Sequence, residues 1–235
     1  MTEPVFLHDI EQTLEAAQPK RYAAYPVYRP SGVDWLGDVP EHWEVKRLKF
    51  LAQLINEKVE ADEDTDQSYI GMEHVQSWTG RLLQLNDDFV PNGISNVFQP
   101  GDILLGKLRP YLAKATAVDF KGLCSSELMV LRPNEVDRRF LLYALLSDGF
   151  IKLVDSSTYG AKMPRANWEF IGSMRTPVPS PDEQQAIARF LDEQTTKIDK
   201  VTQETITAID RLTEYRTALI SAAVTGKIDV RGGAA

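Results

Sequence analysis

Cysteine is nearly missing from this 235-residue chain: Cys124 is the only one. One thiol permits no internal disulfide and fits a reducing, cytoplasmic setting. It lies in an apolar, strand-like stretch and reads as a small buried hydrophobe. Histidine is scarce as well. His8, His42 and His74 stand apart and cannot, with one cysteine, build a usual zinc cluster, so each reads as a solvated or hydrogen-bonded side chain. No run approaches the ~18 apolar residues of a membrane span. Met1-Thr2-Glu3-Pro4 lacks the basic start and apolar run of a signal peptide. Phosphate-cradling glycine loops are missing too, since Gly106-Lys107 has neither the upstream glycine spacing nor the following Ser or Thr of a Walker A motif. No Ser/His/Asp arrangement stands out. Asp38 with Glu44-Val45-Lys46 is the best nuclease-like fragment, but its spacing leaves little room for the two strands such a site uses. The expectation is a binding protein with no metal site.

An excess of positive charge is also lacking, the formal net charge being −8. That average hides segregation. Glu57, Glu60, Asp62, Glu63, Asp64 and Asp66 crowd one stretch against Lys58 alone, whereas 106–117 carries Lys107, Arg109 and Lys114 with no acid. Residues 159–168 hold Lys162 and Arg165, again with no acid. Basic loops on an acidic chain remain compatible with nucleic acid.

What is present in abundance is one long helix. Ser180 can cap it, Pro181 suits its first position and Glu183 completes a capping box. Gly226 can take the left-handed conformation that ends it. Between these signals lie roughly 42 residues free of proline and glycine, a rod of about 60 Å at ~1.5 Å per residue. Ile187, Leu191, Gln194, Ile198, Val201, Thr205, Ala208, Leu212, Tyr215 and Leu219 recur at alternating steps of four and three, the seam of a coiled coil. The alternative is an amphipathic helix lying on its own domain. Its length favours an arm for dimerisation or measurement.

The rest of the chain reads in order as follows. Phe6, Ile10, Leu14 and Ala17 form a short helical stripe, and 21–31 reads as an extended linker. Residues 47–55 look helical, with Leu48, Leu51, Ala52 and Ile55 on one side. Strand-like runs follow at 69–75, 82–85, 94–98, 103–108, 116–120 and 127–131. Asn134 is placed as the cap of an apolar helix running to about Leu146, with Asp137 three positions on. A loop over 156–165, a helical turn near 167–170 and a strand through 171–178 lead to the arm. Several strands before the main helix indicate an α+β fold: a globular mixed-sheet domain followed by a long C-terminal coiled-coil helix. The expected division is an N-terminal extension (1–30), a head (31–180), the arm (181–225) and a tail (226–235).

Several stretches together resemble one family. Gly32-Val33-Asp34-Trp35-Leu36-Gly37 and Val39-Pro40-Glu41-His42-Trp43-Glu44-Val45-Lys46-Arg47-Leu48 resemble the opening of a target-recognition domain in type I restriction-modification specificity subunits. Gly101-Asp102-Ile103-Leu104-Leu105-Gly106-Lys107-Leu108-Arg109-Pro110-Tyr111-Leu112 resembles that family's central strand and loop. Ser125-Ser126-Glu127, Val130-Leu131-Arg132-Pro133, Met163-Pro164-Arg165-Ala166-Asn167-Trp168 and Pro177-Val178-Pro179-Ser180-Pro181-Asp182-Glu183-Gln184-Gln185 follow in the family's order. Such subunits usually hold two recognition domains and two antiparallel spacer helices, so this chain resembles a half-length form, with residues 1–30 as its departure from the pattern.

The resemblance implies a non-catalytic subunit that binds double-stranded DNA. It implies assembly with modification (methyltransferase) subunits, and with restriction subunits where DNA is cut. S-adenosylmethionine is expected on the methyltransferase, with no cofactor bound by this chain and no membrane attachment. A homodimer through antiparallel spacer helices would read an interrupted palindrome; the alternative is an adaptor that pairs with another specificity subunit and alters its target. The expected phosphate anchors are Lys107, Arg109, Lys114 and Lys162. Ser77, Trp78, Thr79, Arg81, Tyr111, Tyr159, Arg165 and Asn167 are the expected base readers. Ile187, Leu191, Ile198, Val201, Leu212, Tyr215 and Leu219 are the dimerisation residues.

Overall fold

The computed structural model describes residues 23–61, 68–85, 93–158 and 163–231. The helical stripe expected over 5–17 lies outside them, as do Tyr159 and Lys162. The fold is α+β, as expected.

Two four-stranded sheets form the head. One runs β4 (Ala52–Ile55), β11 (Leu128–Pro133), β8 (Ile103–Gly106), β9 (Ala115–Ala117), all antiparallel. The other runs β5 (Lys58–Ala61), β7 (Gly93–Phe98), β10 (Gly122–Ser125), β6 (Tyr69–Ile70), with β6 and β10 parallel. Strands buried on both faces read as continuous apolar runs, and β8 and β11 show why. Leu104, Leu128 and Val130 face the other sheet, where Ile70, Phe98 and Cys124, joined by Val118 just after β9, complete one core. Ile103, Leu105, Met129 and Leu131 point the opposite way, into a core capped by helices. Those helices are α1 (Arg138–Leu145), α2 (Asp148–Ser156) and α3 (Trp168–Ser173). Cys124 is fully buried, and burial pushes its thiol up to about 12, which agrees with a structural role.

A buried acid closes the turn that feeds β8. Asp102 accepts a hydrogen bond from the Gln99 amide at 2.8 Å and receives the Arg132 guanidinium in a fork, at 2.8 and 2.9 Å. The forked geometry satisfies both carboxylate oxygens of a fully buried group. Two short strand pairs flank the sheets. β1 (Tyr28–Pro30) pairs with β2 (Asp38–Pro40), and β3 (Glu44–Arg47) pairs with β12 (Arg175–Val178), which leads directly into α4 (Pro181–Val224).

Several local expectations change. Residues 47–55 hold a three-residue 3-10 turn, Leu48–Phe50, and then strand β4 in place of a helix. Backbone pairing of β4 with β11 overrides the helical spacing of the apolar residues. The cap of α1 is Asp137, whose carboxylate accepts from the Arg139 and Phe140 amides, each at 2.9 Å. Asn134 instead donates its backbone N–H to Leu51 at 2.7 Å. The expected 69–75 strand stops at Ile70 and gives way to a 3-10 turn, and 82–85 contributes only a single bridge from Leu82 to Val75. The stretch read as a linker contains β1, so its hairpin with β2 straddles residue 30. Helix α2 was not anticipated.

The two-faced strand makes a direct prediction. Leu104→Ala should cost about 2–5 kcal/mol by opening a cavity between the sheets. The measurement is urea unfolding, read as a lowered midpoint at unchanged slope; an unchanged midpoint would contradict the packing described.

Candidate nucleic-acid interface and the head–arm junction

Three segments widely separated in sequence meet at one edge of the head. After β8 the chain enters a loop in which Arg109 (φ 50°) and Ala113 (φ 46°) take left-handed conformations on either side of a 3-10 turn, Pro110–Leu112. Non-glycine residues rarely adopt these angles, and backbone hydrogen bonds hold them. Arg109 donates to the Pro164 carbonyl at 2.9 Å, Ala166 donates to Lys107 at 2.9 Å, and Trp78 donates to Ala113 at 3.0 Å. The turn at 77–79, the 107–114 loop and the 163–167 segment therefore form one loop surface, with Arg109, Tyr111 and Trp78 exposed.

The expected site residues divide on that surface. Lys107, Arg165 and Asn167 line a cleft of about 300 Å³ together with Lys58, Asn96 and Ser126. Arg165 forks onto Glu127 at 3.0 and 3.1 Å, which fixes its plane. The Asn167 carbonyl oxygen accepts from the Phe170 amide at 2.8 Å, so it caps α3. Lys114 turns inward and donates to the Met72 carbonyl at 2.6 Å. Thr79 receives the Arg81 amide at 3.2 Å and steadies the turn that also carries Ser77. Arg81 itself reaches the arm, where it pairs with Asp199 at 2.7 Å. Among the described residues no group of three or more His, Cys, Asp or Glu could hold a metal ion. Glu44 and Lys46 form an exposed ion pair at 2.6 Å.

The base of the arm is clamped to the head by polar groups that sequence reasoning did not single out for this role. Glu183 completes the capping box with Ser180 and also meets the His42 ring at 2.8 Å and the Trp43 indole N–H at 3.2 Å. Gln184, buried, accepts from the Asp137 amide at 2.7 Å and donates to the Pro179 carbonyl at 2.9 Å. Asp192 receives Arg139 at 2.6 Å and the Tyr143 hydroxyl at 2.8 Å. With Asp199 on Arg81, the clamp runs along about 24 Å of helix at ~1.5 Å per residue. The one available signal was helical spacing: Gln184, Ala188, Asp192, Thr195 and Asp199 share a face, and most are polar.

Beyond the clamp the arm projects. Ile187 and Leu191 of the seam are half-buried beside the head, whereas Ile198, Val201, Leu212, Tyr215 and Leu219 are exposed, Ile198 by 63% and Tyr215 by 65%. The helix thus lies on its own domain for its first part only. No helix among the described residues is long and apolar enough to cross a membrane.

This pairing of a loop-bearing sheet domain with a clamped, projecting helix matches known proteins. The model of the type I restriction modification DNA specificity domain matches residues 40–211. The chain belongs to that family. It is 22% identical over 196 residues to the EcoDI type I restriction enzyme specificity subunit of Escherichia coli, covering 82% of this chain and 44% of that protein. It is 21% identical over 210 residues to the MjaVIII specificity subunit of Methanocaldococcus jannaschii, covering 83% and 48%. It therefore spans about half the length of the curated relatives it matches. The fold resembles the HsdS subunit of Thermoanaerobacter tengcongensis, with a TM-score of 0.59 at 19% identity over 84% of this chain and 52% of that one. A chain solved in work on assembly and conformational transition of the type I R-M system gives 0.61 at 18% identity, with the same coverages.

The clamp has a pH signature. Burial pushes the Glu183 carboxyl up, but hydrogen bonds from His42, Ser180 and Trp43 together outweigh it and bring the group from 4.5 down to about 2. A depressed value in the folded state means stabilisation present above the ordinary range and lost as pH falls through it. Glu183→Gln should therefore flatten the loss of stability between about pH 4.5 and 2, measured by urea midpoints across that window. Parallel profiles for the two proteins would contradict the assignment.

Proposed function

We propose that this chain is the DNA-reading, non-catalytic subunit of a type I restriction-modification complex, and that it works as a homodimer of half-subunits. Each head reads a short half-site through its loop surface. Lys107 and Arg109 meet phosphates; Tyr111, Arg165 and Asn167 lie where base edges can be reached. Two arms pair antiparallel and hold the heads at a fixed separation, so the complete site is an interrupted palindrome. Methyl transfer, with S-adenosylmethionine, belongs to a partner methyltransferase, and cleavage to a restriction subunit.

The observation that carries this reading is the arm: clamped at its base, carrying an exposed apolar stripe along its free length, and with no helix packed on that stripe among the described residues. A second arm would cover it. A second reading is an adaptor that pairs with a different specificity subunit. The net charge of −8 and the engagement of Arg81 and Lys114 within the chain favour it, since they reduce the cations available to DNA. Native mass of the chain with its methyltransferase, plus a map of methylated bases in cells carrying both, separates the two. The homodimer predicts two copies and a palindromic motif; one copy beside another specificity chain, or a non-palindromic motif, would exclude it.

Lys107→Ala should weaken binding of all DNA sequences about equally and make the salt dependence shallower by roughly one unit of log–log slope. Titrations over a range of salt check this. An unchanged slope would remove Lys107 from the phosphate contacts.

A further inference from the structure

We infer that the C-terminal tail of one copy seats in a cleft between the head and the arm of the second copy, locking both ends of the paired arms. The inference rests on the homodimer proposed above.

The cleft has a volume of about 360 Å³ and lies beside the clamp, lined by Trp78, Thr79, Leu146, Leu191 and Ile198 among others. Trp78 is unusual there. Its backbone has φ 66°, a costly conformation for a bulky residue, yet the residue is 46% exposed. The bond from its amide to Ala113 holds a large apolar surface at the mouth of the cleft.

The occupant follows from the seam. Antiparallel coiled coils stack one seam position against the complementary one of the partner. One register sets Ala208 against Leu212, Thr205 against Tyr215, Val201 against Leu219, and Ile198 against Ala222 of the second copy. Each layer then joins a larger side chain to a smaller one, which gives layers of even thickness. A shift of one heptad either way stacks Thr205 on Ala208, or Leu212 on Tyr215, and loses that match. In the matched register the chain after Gly226 of the second copy arrives at the level of Gln194 and Leu191, and Leu191 lines the cleft.

The tail is shaped for that position. Gly226 (φ 70°) ends the helix, and the amides of Lys227 and Ile228 turn back onto the Ala222 carbonyl at 2.9 and 3.3 Å. Ile228 and Val230 are left exposed just past the turn. Its own head is out of reach, since Ile198 and Val224 lie about 39 Å apart along a continuous helix.

Cysteine pairs test the arrangement, and the buried native Cys124 does not interfere. The double variant Ala208→Cys/Leu212→Cys reports the arm register. Trp78→Cys/Ile228→Cys reports the tail, and Thr79→Cys/Ile228→Cys repeats that test should the Trp78 change disturb folding. After mild oxidation of the full chain, both kinds of pair should give covalent dimers on a non-reducing gel. A register crosslink with neither tail crosslink would overturn the tail docking and leave the homodimer standing. Loss of all crosslinks with a monomeric native mass would overturn both.

Discussion

The structure depends on the polar clamp at the base of the long helix. An apolar contact alone would let a rod slide or tilt. Gln184 is buried and bonded at both ends of its amide, Glu183 gathers three side chains, and Asp192 and Asp199, about two turns apart, tie Arg139, Tyr143 and Arg81 to the helix. Breaking the bonds of Gln184 leaves a buried polar group short of partners, which costs more than the bonds contribute when made. The helix direction is thereby fixed relative to both sheets.

That rigidity gives the rest of the architecture its meaning. The head's two cores share β8 and β11, so the loop leaving β8 is anchored in the best-packed part of the molecule. Lys107, Arg109 and Tyr111 sit on this loop, while Arg165 and Asn167 are held by Glu127 and by the cap of α3. A preorganised surface loses little entropy on binding. The free part of the arm carries its apolar seam away from the head, so in the proposed homodimer the separation of two heads becomes a matter of helix length.

Legibility in the sequence followed locality. The arm's limits were readable because capping box, Pro181 and Gly226 act within a few residues, and the structure ends it at Val224. Strands β7, β8 and β11 were readable from their own apolar runs. Residues 47–55 misled because Leu48, Leu51, Ala52 and Ile55 fit a helical period equally well, and the deciding partner, β11, lies far along the chain. The ion pair of Arg81, an expected base reader, with Asp199 was not legible, because Asp199 is likewise distant in sequence and polar within a helix dominated by its apolar stripe. The gathering of 77–79, 107–114 and 163–167 into one surface is set by backbone bonds, which side-chain chemistry does not announce.

In the proposed homodimer two rigid heads stand at a separation set by the arms. Lys121 is exposed on the head, so a spin label on Lys121→Cys gives the head-to-head distance directly. The account predicts one narrow distance in the dimer. Inserting one heptad into the free part of the arm should lengthen it by about 10 Å, at ~1.5 Å per residue. A broad distribution, or a distance indifferent to the insertion, would contradict it.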